Sequence, residues 1–111
     1  GAGLAVIMPA WMEFVYKHNV TRFAQMAVRI WGCEMNFENP EETALRGIYS
    51  FRRFLHEIGM PINFDELGAK EADIPVLVEK FGLGDGMTGG FVPLSSDDIA
   101  EIYRLAVKAK I

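Results

Sequence analysis

Residues 39–59 read NPEETALRGIYSFRRFLHEIG, and they decide the fold. Asn39 is a residue type that caps helices. Pro40 suits the first helical position, where its missing N–H is not needed, and Glu41 and Glu42 favour the positive end of the helix dipole. Leu45, Ile48, Phe51, Leu55 and Ile58 then recur as one apolar stripe at helical spacing. Gly59 supplies the stop, and Pro61 follows it. Arg46, Arg52, Arg53 and His56 share this helix with Glu41, Glu42 and Glu57, so its charges read as a mixed, solvated face.

The same punctuation extends outward in both directions. Upstream, Phe23, Met26, Ala27 and Ile30 recur at helical spacing in RFAQMAVRIW, with Asn19 or Thr21 to cap the start and Gly32 to end it. Before that, Leu4 to Lys17 is apolar on nearly every face, which describes a buried helix; Pro9 bends it or marks its first turn. Downstream, Phe64 to Leu67 makes a short turn. Asp73-Ile74-Pro75 opens a helix with Ile74, Leu77, Val78 and Phe81 on one face and Gly82 at its end. Ser95-Ser96-Asp97-Asp98 is a capping signal for a last helix whose stripe is Ile99, Ile102, Tyr103 and Ala106. No stretch alternates as a half-buried strand does. The expectation is one all-α unit, a bundle of about five helices with an apolar first helix.

Composition narrows the function classes. The 111 residues carry 15 Asp and Glu against 11 Lys and Arg, so charge gives no reason to bind nucleic acid or an anionic membrane. The apolar opening is too short for a membrane span and lacks the basic residues of a signal peptide. The single cysteine excludes an internal disulfide and fits a reducing, cytoplasmic setting.

Several motifs fail on context. Gly84-Asp85-Gly86-Met87-Thr88-Gly89 spells G-x-G-x-x-G, but it follows a helix instead of a strand, and the next helix starts only near Ser95. It reads as a flexible, glycine-rich connection. His56-Glu57 lacks the second His that a zinc-protease helix needs, because position 60 is Met. His18 stands near the end of the first helix, where a cation suits the dipole. Cys33 follows a helix stop, the wrong end to lower a thiol pKa. The residues by themselves spell out no catalytic set and no metal constellation.

Order and spacing add more. GLAVIMPAWM, then RFAQMAVRIWG, then ENPEETALRGI with FLHEIGMP, resemble the C-terminal helical domain of the iron-containing alcohol dehydrogenases, and within them the butanol dehydrogenases that use a nicotinamide cofactor. The resemblance runs from Gly1 to about Lys108. It implies a two-domain enzyme, of which residues 1–111 are the C-terminal all-helical domain and an α/β nucleotide-binding domain is the missing partner. It implies hydride transfer between NAD or NADP and a primary alcohol or aldehyde, assisted by a divalent metal, iron or zinc. The family's metal ligands are one Asp and three His, the last standing before a pattern like H-G-x-G-L-A. This chain begins at the Gly of that pattern, so all four ligands are expected upstream of Gly1, and a fragment without bound cofactor, metal or activity follows. The connection GLGDGMTGGFVPLSS approaches the active-site cleft in relatives, which makes Met87, Thr88 and Phe91 candidates for the substrate pocket. Leu4, Ile7, Trp11 and Phe14 are expected to lose partners in such a fragment, and exposed apolar surface of that kind drives homo-oligomer formation. The contrasting reading is a stand-alone helical protein-interaction module.

Overall fold

The computed structural model describes residues 1–111, all of them helix or connection. The helices are α1 (Ala2–Val15), α2 (Val20–Trp31), α3 (Pro40–Glu57), the single turn α4 (Phe64–Leu67), α5 (Ile74–Phe81) and α6 (Ser96–Val107). A 3-10 turn over Tyr16–Asn19 joins α1 to α2, and another over Glu71–Asp73 leads into α5. The only strand-like pairing is one antiparallel bridge between Thr88 and Leu94. The all-α expectation holds.

The caps show why the elements stop where they do. Asn19 accepts the Arg22 N–H at 3.1 Å and starts α2. Gly32 takes φ +69° and ends it, a conformation that costs a residue with a Cβ. Ser95 and Asp98 exchange side-chain and backbone hydrogen bonds at 3.2 and 2.9 Å, a full capping box on α6. Asn39 is different. It holds the N-cap position of α3, but its side chain makes no cap bond. Asn36 organises that turn instead. Its Oδ1 accepts the N–H groups of Glu38 and Asn39, and its own N–H donates to the fully buried Thr43 Oγ1 at 2.8 Å.

The molecule is a slab of 41 × 31 × 19 Å. A helix with its side chains is about 10–12 Å across, so the short dimension holds two helix layers. α2 lies along α3, and α1 is held between α3 and α6, with α5 on the outside of α6. The α2–α3 contact is close because Gly47 of α3 faces Ala27 of α2. A Cβ placed on Gly47 would stand 2.5 Å from the Ala27 Cβ and 2.9 Å from its Cα. The main core runs through Val6, Ala10, Val15, Ala44, Ile48 and Ile102, so it draws on α1, α3 and α6 together.

Three expectations need correction. α1 is not buried on every face: Val6, Ala10 and Val15 are inside, whereas Leu4 is 64% and Met8 41% exposed. Pro9 does not mark the first turn of α1 but lies buried inside the helix, which leaves the bend of the two alternatives. The stripes of three helices also run out of the core at their ends, because Ile30, Ile58 and Phe81 are exposed. A two-layer slab gives each helix a narrower buried face than the apolar pattern suggests.

Arg52 is the fourth correction. It is only 2% exposed and not part of a solvated face. Its Nη2 forms an ion pair with Glu13 Oε1 of α1, and its Nε is buried with no acceptor. The helical pattern placed the guanidinium beside other charges of α3, but α1 covers that position and brings one carboxylate to it. Arg46 and Arg53 do stay exposed.

Two stability measurements follow from this packing. Gly47→Ala should cost about 1–3 kcal/mol in urea unfolding, the usual penalty of overpacking. Gly3→Ala, in open space on α1, should be neutral or slightly stabilising. Arg52→Met should lower stability by about 3 kcal/mol, because it strands the Glu13 carboxylate. Adding Glu13→Leu to Arg52→Met should recover most of that loss.

Candidate functional site

Residues 82–95 form a pinned loop and not a slack connection. Gly82 ends α5 at φ +82°. Thr88 and Leu94 exchange backbone hydrogen bonds of 2.9 and 2.6 Å, and the Ser96 hydroxyl donates to the Gly84 carbonyl at 2.7 Å. Gly89 sits at φ +104°, where an added Cβ would lie 2.6 Å from the Val92 carbonyl oxygen. The turn therefore requires glycine there, and its geometry aims Phe91 back at the helices.

Phe91 meets Trp11 of α1 edge-on, with ring centroids 6.2 Å apart and planes at 69°, and Phe23 of α2 at 6.0 Å. Two apolar cavities result, one on each side of the ridge made by Met8 and Trp11. The first, about 400 Å³, lies between α1, α2 and Phe51 of α3, with Phe91 at its rim. Trp31 stacks on Phe51 at 5.7 Å and 28° and forms its far wall. Arg22 is its one charged lining residue. The second, about 370 Å³, lies between α1, the loop and α6; Thr88 and Tyr103 supply its only hydroxyl groups.

The three loop candidates are thus separated. Phe91 lines the first cavity and Thr88 the second, while Met87 is 59% exposed and lines neither. Of the four apolar residues expected to lack partners, Leu4 is exposed and Ile7, Trp11 and Phe14 are half-buried. Arg22 was not singled out by the sequence. The available signal was its position one and two turns before Met26 and Ile30, a lone cation heading an apolar row.

No three of the His, Cys, Asp and Glu side chains converge on a point where a metal ion could sit. His18 and His56 are both exposed, and the nearest polar neighbour of the Cys33 Sγ is the Ser50 hydroxyl at 3.9 Å. The Gly84–Gly89 stretch closes on itself and does not present a helix start to a phosphate. The residues of this chain therefore do not fit a metal or a dinucleotide. No helix is long and apolar enough to cross a membrane.

A buried phenol lies beside the Arg52–Glu13 pair. Tyr16 is 7% exposed. Burial pushes its hydroxyl above the ordinary phenolic range, and the nearby acids Glu41, Tyr49 and Glu13 push the same way. Burial alone raises Tyr103 at the edge of the second cavity.

This helical slab with a hydrophobic cleft belongs to a known class of dehydrogenase domain. The chain is a member of the Fe-containing alcohol dehydrogenase family, and residues 1–107 match the C-terminal part of that family. It is similar to the NADH-dependent butanol dehydrogenase A of Thermotoga maritima, whose crystal structure agrees with a TM-score of 0.85 at 34% identity over 97% of this chain and 28% of that one. It is 28% identical to the probable NADH-dependent butanol dehydrogenase 1 of Bacillus subtilis over 105 residues, 95% of this chain and 27% of the relative. The 1,3-propanediol dehydrogenase of Citrobacter freundii is 30% identical over 107 residues, 96% of this chain and 27% of the relative. The chain thus spans little more than a quarter of the length of these relatives.

The tyrosines give a pH test. A phenol whose folded-state pKa is raised holds its proton longer in the folded than in the unfolded chain. Its contribution is fully present below the unfolded value near pH 10 and is lost as pH rises through the folded value. Unfolding free energy should therefore fall above about pH 10. Tyr16→Phe should make that decline shallower, measured by urea unfolding between neutral and strongly alkaline pH.

Proposed function

We propose that this chain is the C-terminal helical part of a metal-dependent alcohol dehydrogenase, an enzyme that transfers hydride between a nicotinamide cofactor and a primary alcohol or its aldehyde. The observation that carries the reading is the unbroken family match over residues 1–107, on a fold that follows a butanol dehydrogenase with a TM-score of 0.85. The names of the relatives support the alcohol class and the use of NADH.

The chain's own share in that enzyme is apolar shape. α1, the pinned loop and α6 build a dry wall beside which an alcohol is held away from water, while the metal and the nicotinamide are held by residues outside this chain. Thr88 lines that wall, Phe91 supports it from the first cavity through its edge contact with Trp11, and Met87 is presented from the loop tip toward whatever lies opposite. The exposed Leu4 and Met8 offer an apolar surface to the rest of the longer protein.

The assay is reduction of butanal with NADH or NADPH, with iron(II) or zinc added. The 111-residue chain should show no turnover above the blank, and the longer protein that carries it should be active. Phe91→Ala in the longer protein should raise KM for butanol several-fold. Turnover by the short chain alone would overturn the division of labour. A longer protein inactive with both cofactors and both metals would overturn the dehydrogenase reading.

A further inference from the structure

The first cavity has a property that the dehydrogenase reading leaves unused. Its volume of about 400 Å³ falls in the range of sites that enclose small organic ligands. Its wall is apolar except for Arg22. Within residues 1–111 the ion pairs use Arg46, Arg52 and Arg104, and the exposed Arg22 guanidinium meets no carboxylate of these residues. In a chain of net charge -4, the one charge placed on this cavity is positive.

We propose that the cavity binds an amphipathic carboxylate, an unbranched medium-length alkyl chain with its head group paired to Arg22. Trp11, Phe23, Met26 and Trp31 make an apolar wall whose only N–H groups are the two indole donors, with no oxygen acceptor among the side chains. A sugar or nucleoside would leave its hydroxyls unpaired there, which is costly. An alkyl chain has no such demand and gains free energy with every methylene buried. Met26 is flexible enough to follow its contour. At the mouth a guanidinium matches the two oxygens of a carboxylate, and one cation balances one negative charge. The cavity shares Met8 and Phe91 with the surfaces that the dehydrogenase reading uses, whereas Arg22, Phe23, Met26 and Trp31 have no part in that reading.

Trp11 and Trp31, the two tryptophans of the sequence, both line the cavity, so intrinsic fluorescence reports its filling. The experiment titrates hexanoate, octanoate and decanoate, below micelle formation, into the 111-residue protein, with 1-decanol as the uncharged control. Affinity should rise about two- to fourfold per methylene. Decanoate should bind about three- to fivefold tighter than 1-decanol, as expected of an exposed ion pair. Arg22→Gln changes an exposed side chain, so the fold is kept, and thermal unfolding verifies it. That variant should bind decanoate and 1-decanol equally, with decanol affinity unchanged. The proposal is overturned by any of three results: no fluorescence response, equal binding of decanoate and decanol to the unaltered chain, or unaltered decanoate binding in Arg22→Gln. Gel filtration at the titration concentration closes the remaining route. A dimer whose fluorescence ignores decanoate would mean that a second copy fills the cavity, and that too overturns the proposal.

Discussion

The close approach of α2 and α3 at Gly47 and Ala27 is the constraint on which the rest of the slab depends. With no side chain on one helix and a methyl on the other, the two backbones come together along their length. A neighbouring face of α3, carrying Ala44, Ile48 and Arg52, takes α1. The close approach also sets the distance between the large side chains above the crossing, so that Trp31 reaches Phe51 and Phe54, each at 5.7 Å. The first cavity exists because these aromatic groups meet at its far end while α1 stands off on the near side.

α1 is held by apolar packing and by one polar clamp. A buried ion pair is weak evidence for stability, because the desolvation of both charges offsets much of their attraction. Its better attested use is to fix one arrangement among several apolar alternatives. α1 is rich in apolar residues of similar size, and Glu13 meets Arg52 in the register that turns Met8 and Trp11 toward the cavities.

Local rules were legible where both partners lie within a few residues. Gly32, Gly82, Pro40 and the Ser95–Asp98 box marked helix ends because caps are made by neighbours in sequence. Asn39 shows the limit: the position was right, yet the hydrogen bonds came from Asn36 and Thr43 on either side. Arg52 shows a deeper limit. Whether a charge on a helix faces water depends on which other helix covers it, and no pattern within α3 names α1. The cavities were invisible for the same reason, since each is assembled from α1, a loop more than seventy residues away and two further helices. The family resemblance supplied the loop as a candidate; only the fold separated Phe91, Thr88 and Met87 into different surroundings.

The pairing of α1 with α6 joins the first and last helices of the chain. α2 and α3 meet across a short connection, and α3 can cover one side of α1 while synthesis continues, but the side of α1 that faces α6 stays open until α6 has been made. During that interval the uncovered apolar side chains of α1 are open to other chains, an aggregation risk at high expression.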